Sequence, residues 1–222
     1  MASEKRVSAK NIKVFSEITE KLKEIYPHAV CALEWNGEPW RLLVMGRLSA
    51  QCTDARVNLV CRDLFKRFST PKDMAEAELT EIEELIRSCG LYKTKAQSLK
   101  SSCKMLVNEY GGVIPDSMEE LLKFPGVGRK IANLLLGDVY KKPGIVADTH
   151  CIRICGRLGA YSEEIKDPLK VEKTMSKIIA PTEQSDFCHR IVQFGRDFCS
   201  ARNPKCDVCP IRDHCKHFLD RK

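Results

Sequence analysis

Apolar residues along this chain recur at spacings of three and four. Phe15, Ile18, Leu22 and Ile25 draw one stripe on a segment whose other positions are mostly polar or charged, the mark of an amphipathic helix. Helix start signals then repeat. Thr70-Pro71 offers an N-cap followed by proline at the first helical position. Thr80 with Glu83, and Ser117 with Glu120, have the capping-box spacing, and Asp167-Pro168 opens a further helix. Alternating β-branched stretches of strand length are scarce, and short runs such as 144–147 read as connectors. The pattern predicts helices over 8–26, 38–49, 53–68, 71–76, 80–88, 92–110, 117–123, 129–140, 148–157, 168–178, 184–199 and 208–217, and hence an all-α fold. The plainest breaks are Gly111-Gly112 and 141–144, and the second suits a boundary between two lobes.

One of the predicted turns carries more than a change of direction. Residues 121–133 read Leu-Leu-Lys-Phe-Pro-Gly-Val-Gly-Arg-Lys-Ile-Ala-Asn, a short capped helix, a tight turn and the start of a second helix. Two glycines two apart are expected to take positive φ and to let another molecule approach the backbone closely. The turn runs into a helix N-terminus, where unpaired N–H groups and the positive end of the dipole favour a phosphate. Such a turn grips a nucleic-acid backbone without reading bases. Gly126, Gly128 and Arg129 are then the phosphate contacts. A bare Pro-Gly-x-Gly is equally compatible with an ordinary helix–helix turn.

Charge and cysteine content narrow the setting. With 37 Lys and Arg against 30 Asp and Glu the net charge is +7, which suits a polyanion partner without requiring one. The 43% hydrophobic and 30% charged residues describe a globular chain. No window holds the roughly 18 uncharged apolar residues that span a bilayer, and the charged start of the chain is no secretory signal. The expected compartment is the cytosol, where twelve cysteines do not make a disulfide framework. Cys31, Cys52, Cys61, Cys89, Cys103, Cys151, Cys155 and Cys188 are scattered among apolar neighbours and read as small buried hydrophobes. Cys199, Cys206, Cys209 and Cys215 instead form C-x6-C-x2-C-x5-C. Four thiolates in so short a segment enclose either Zn²⁺ or a [4Fe–4S] cluster, and the spacing alone leaves both open.

Three separated signatures together resemble one family. Phe124-Pro125-Gly126-Val127-Gly128-Arg129-Lys130, followed by Val146-Ala147-Asp148-Thr149-His150, resembles the helix–hairpin–helix and Gly/Pro–Asp signature of the endonuclease III superfamily. The 6-2-5 cysteine spacing resembles the cluster motif of the same family, which favours [4Fe–4S] over zinc. Phe124 stands where the family usually has leucine, and Arg47 where it often has an apolar residue. The resemblance runs from the first helix to Cys215.

It implies a lysine nucleophile at Lys130 and a catalytic aspartate at Asp148, which is also placed to cap the helix after it. A lysine amine can attack the sugar C1′, displace a damaged base and form a Schiff base, provided it is neutral when it attacks. Partial desolvation and a helix N-terminus favour that form. The carboxylate accepts a proton and stabilises positive charge developing on the sugar. The target base must leave the stack, and the resemblance makes Gln51 and Leu91 the residues that enter the DNA in its place. Arg202 and Lys205, between the first two cysteines, are the expected phosphate contacts of a loop shaped by the cluster. Lys93, Lys95, Lys100 and Lys104 read as a solvated helix face, part of which meets phosphate.

The implied architecture is two helical lobes with a DNA-binding cleft between them. One is a six-helix barrel lobe at 31–141 that contains the hairpin. The other is a cluster lobe made of 1–30 and 142–222. The implied function is a bifunctional DNA glycosylase and abasic-site lyase that removes oxidised pyrimidines from duplex DNA and cuts the strand by β-elimination. Its partner is double-stranded DNA with damaged or abasic sites, and it works as a nucleoid-associated monomer. Two alternatives stand beside it: a monofunctional mismatch glycosylase, and a non-catalytic iron–sulfur DNA-binding protein.

Overall fold

The computed structural model describes residues 8–220, and the order of elements is α1 (Ala9–Ile25), α2 (Pro39–Leu48), α3 (Asp54–Arg67), α4 (Pro71–Glu76), α5 (Leu79–Ile86), α6 (Tyr92–Tyr110), α7 (Met118–Leu121), α8 (Arg129–Tyr140), α9 (Thr149–Leu158), α10 (Pro168–Ile178), α11 (Gln184–Asp197) and α12 (Lys216–Leu219). No strand occurs among the described residues, and no helix there is long and apolar enough to cross a membrane. The fold is all-α.

The helix starts follow from capping chemistry where the sequence supplies it. Thr70 accepts the N–H of Asp73 while the Asp73 carboxylate accepts the N–H of Thr70, a closed capping box with Pro71 at the first helical position. Asp167 accepts the N–H groups of Leu169 and Lys170 at the start of α10. Two expectations need correction. Thr80 caps nothing: α5 begins at Leu79, whose side chain packs on the core, so packing starts the helix one residue before the cap-forming residue. Ser117 accepts the N–H of Glu120, but the Glu120 carboxylate turns to Tyr110 Oη at 2.7 Å and Lys123 Nζ at 2.6 Å. The helix expected over 208–217 is also broken. Two 3₁₀ turns, Cys206–Val208 and Arg212–His214, precede the short α12. Pro210 between them has no N–H to give a helix, and Cys206, Cys209 and Cys215 all line one cavity, which a single straight helix does not allow.

Two units emerge from the backbone contacts: Cys31–Lys141, and the chain up to Val30 together with the chain from Lys142 onward. In the first, α6 is the central element. α4, α5 and α2 pack on it, and Ala96, Leu99, Cys103 and Leu106 are buried along it. α2 lies close on α8, an approach helped by Gly46, where a Cβ would come within 3.2 Å of Ile131 Cγ2. In the second, the stripe of α1 is buried against α10 and α11, with Phe15, Ile18 and Leu22 facing residues such as Val171, Met175 and Phe194 in one core. α9 packs on α11 at Gly195, where a Cβ would meet His150 Nδ1 at 2.4 Å.

Candidate functional site

The hairpin between α7 and α8 is held from below. Leu121 and Phe124 are buried, the Tyr110 ring lies 5.1 Å from that of Phe124, and Ser102 Oγ donates to Pro125 O at 2.9 Å. The two glycines turn out to differ. Gly126 has φ 79°, and a Cβ there would lie 2.4 Å from Arg47 Nε, which is itself held by Ser98 Oγ at 2.8 Å. Gly128 has φ −102° and ψ 178°, extended backbone open to any residue, so the expectation of positive φ fails there. No atom lies within 4 Å of a Cβ built on Gly128. The first glycine is thus demanded by the turn, while the second leaves an open face beside the start of α8. Arg129 and Lys130 are exposed in the first turn of α8, the end at which N–H groups lack intrahelical acceptors.

Asp148 stands in the second unit, at the N-cap of α9. Its Oδ1 accepts the N–H of Cys151 at 2.7 Å, so the expected cap is present. The segment before it is anchored by buried Ile145 and Ala147 and by the Val146 N–H, which donates to Cys188 Sγ at 3.3 Å. A half-buried carboxylate is therefore fixed by its own helix and by the strandless connector behind it.

Gln51 and Leu91 share an uncommon backbone. Both are exposed, and both have positive φ, 54° and 48°. For a residue with a Cβ that conformation costs about 1–2 kcal/mol. Leu91 is in addition 60% exposed despite its apolar side chain. The restraint comes from a residue read as surface charge. Lys95 is completely buried, and its Nζ donates to Leu48 O at 2.8 Å, Ala50 O at 2.7 Å and Cys89 O at 2.7 Å. Burial pulls its pKa down, but three carbonyls around one nitrogen are satisfied only by an ammonium. Lys93 and Lys104 are exposed as expected, and Lys100 is half-buried. A signal for Lys95 did exist: it falls on the stripe with Leu99, Ser102 and Leu106, the buried face of α6.

The four spaced cysteines line a single small cavity, with Ile154, Leu158, Phe194 and Phe198 as its apolar wall. None of the four is in a disulfide, and all are partly buried. Burial first, then the neighbouring thiols Cys215, Cys199 and Cys206, push Cys209 up to about 11, and Cys215 is raised in the same way. Four thiolates here need a strongly positive core to hold them together. Four cysteine donors lining one partly buried cavity fit the ligand set of a [4Fe–4S] cluster as well as that of an all-cysteine zinc site.

Two arginines that the sequence reading passed over hold the loop between Cys199 and Cys206. Arg157 donates to Cys199 Sγ at 3.3 Å, Ser200 O at 2.8 Å and Ala201 O at 2.9 Å, and Arg153 donates to Cys199 O at 2.9 Å. Both project from α9, one turn apart. Arg202 and Lys205 are exposed on this loop, which closes through the Lys205 N–H on Phe198 O at 2.8 Å.

Comparison with known proteins adds relatives to this geometry. Residues 44–181 match the family described as HhH-GPD superfamily base excision DNA repair protein, and residues 199–215 match the iron–sulfur binding domain of endonuclease III. The endonuclease III of Bacillus subtilis (strain 168) is 38% identical over 213 residues, covering 95% of each chain. A solved non-covalent endonuclease III–DNA complex superimposes with a TM-score of 0.88 at 40% identity, over 95% of this chain and 97% of the other. A trapped endonuclease III–DNA covalent intermediate, an estranged-adenine complex, gives the same score and identity over 95% and 98%.

Proposed function

Because the chain belongs to the endonuclease III family of HhH-GPD base excision DNA repair proteins, we propose that it is a bifunctional DNA glycosylase and abasic-site lyase that removes oxidised pyrimidines from duplex DNA, with Lys130 as nucleophile and Asp148 as its carboxylate partner. The observation that carries this reading is an exposed lysine in the first helical turn after a Pro-Gly-x-Gly hairpin whose second glycine borders open space. Phosphate bound along that hairpin brings the sugar to the amine.

The Lys130 nitrogen lone pair bonds to C1′, and the glycosidic bond breaks with its electron pair leaving on the base. Opening of the sugar ring gives a protonated imine. Loss of a proton from C2′ then drives out the 3′ phosphate, and water releases the lysine. Asp148 accepts a proton and offsets positive charge on the sugar. Gln51 and Leu91 fill the place of the flipped nucleotide. Gly126, Gly128, Arg129, Arg202 and Lys205 meet phosphates, and an enzyme that grips DNA in this way associates with the nucleoid. Cys199, Cys206, Cys209 and Cys215 hold the [4Fe–4S] cluster, whose contribution is to shape the 199–206 loop.

The test is borohydride trapping on abasic and lesion-bearing duplex. The wild-type protein is expected to form a covalent complex, and Lys130→Ala none. Asp148→Asn keeps an N-cap side chain and is expected to lose about 10²–10⁴-fold in rate with an unchanged melting temperature. Base release without trapping by the wild-type protein would show a monofunctional glycosylase, and neither activity a non-catalytic DNA-binding protein.

A further inference from the structure

Lys95 lies outside the reacting groups, yet its side chain touches both segments proposed to enter DNA. Leu48 O is the last carbonyl of α2, where the helix leaves its acceptors unpaired and its dipole negative. Ala50 O lies immediately before Gln51, and Cys89 O two residues before Leu91. A single buried ammonium therefore ties the end of α2, the Gln51 turn and the Leu91 turn to the first turn of α6, where Lys95 N–H also donates to Leu91 O at 3.0 Å. Burial first, and then the neighbouring Cys52 thiol, raise the Cys89 thiol to about 11, so the same two turns also approach each other at these thiols. Gln51 and Leu91 hold left-handed backbone with no glycine to ease it, so something beyond local preference has to keep them there.

We propose that Lys95 is a positioning residue that fixes the Gln51 and Leu91 turns as one rigid two-pronged wedge, so that both side chains enter the duplex together. It acts on strand opening and not on the sugar chemistry. The proposal rests on the reading of Gln51 and Leu91 as the inserting residues. Without the ammonium, three inward carbonyls lose their shared donor and repel one another. The two turns then relax independently, and the work of holding them passes to DNA binding.

The test compares two substrates. Excision of a lesion base-paired in duplex needs the wedge, whereas β-elimination at an abasic site in a single-stranded oligonucleotide has no partner strand to open. Lys95→Met is expected to lose about 10–100-fold in kcat/KM on the paired duplex and to match the wild-type protein on the single strand. Lys95→Arg, which returns a cation with several donors, is expected to recover most of the loss. Adding Lys95→Met to Gln51→Ala/Leu91→Ala is expected to cost nothing further. Equal losses on both substrates would reduce Lys95 to a general structural role and overturn the proposal. If Lys95→Met does not purify folded, Lys95→Gln is read in the same pair of assays. A Gln51→Ala/Leu91→Ala protein with full activity on paired duplex sinks the insertion reading and the role of Lys95 with it. Loss in that protein with none in Lys95→Met sinks the role of Lys95 alone.

Discussion

The two hairpin glycines separate a conformational demand from a spatial one. Gly126 combines φ 79° with Arg47 Nε only 2.4 Å from where a Cβ would stand, so Gly126→Ala is strained twice over. A loss of about 2 kcal/mol or more is expected, read as a lower melting temperature. At Gly128 the backbone suits any residue and the space is open. Gly128→Ala is therefore expected to move stability by under about 1 kcal/mol, while duplex affinity falls roughly tenfold because a methyl now stands where phosphate approaches. Wild-type affinity in Gly128→Ala would mean that DNA does not lie against this face. In the sequence the two positions look alike. What distinguishes them is Arg47, 79 residues earlier, a contact that no local pattern shows.

At the level of elements, α9 does two jobs with opposite ends. Its N-cap is Asp148, and a partly buried side carries Arg153 and Arg157 to Cys199, the first of the four cysteines proposed to hold the cluster, and to the carbonyls after it. Groups that orient a ligand commonly change metal affinity 10–100-fold when removed. Arg157→Leu, which keeps the bulk and deletes the donors, is expected to lose iron to a chelator about tenfold faster with helix content unchanged by circular dichroism. Iron content and the visible absorption of the cluster report it, and wild-type kinetics of iron loss would reject the role. The helix itself was readable from its cap and apolar period. Its arginines were not, because a cation at helical spacing is ordinarily a solvated one, and only the fold brings the 199–201 backbone within their reach.

Across the whole molecule each unit has its own core, and most of the thiols outside the cluster motif serve those cores. Cys61, Cys89, Cys103, Cys151, Cys155 and Cys188 are buried, as expected of small apolar residues, while Cys31 and Cys52 are only partly so. Burial pushes Cys103 up to about 12 and raises Cys61 as well. A raised thiol favours the folded state while both states keep the proton, that is below the unfolded pKa near 9. That contribution drains as pH climbs from about 9 toward about 12. The melting temperature is expected to fall across this window, and to fall less steeply in Cys103→Ala. An unchanged slope in that variant would assign the alkaline loss to other groups.

By itself the sequence determined the helical class, most helix starts, the hairpin and the four spaced cysteines. These rest on interactions within a turn or two of chain, or on ligands that a short segment must carry together. The tertiary structure decided the rest. α1 carries an apolar stripe that fits any partner, and contact with α10 and α11 is what selects its own. Lys95 became a buried anchor because Leu48 and Ala50, 47 and 45 residues away, turn their carbonyls toward it. The segment after Cys206 broke into short turns because its cysteines share one cavity. Burial and long-range hydrogen bonding belong to pairs of residues distant in the chain, and such pairs exist only once the chain has folded.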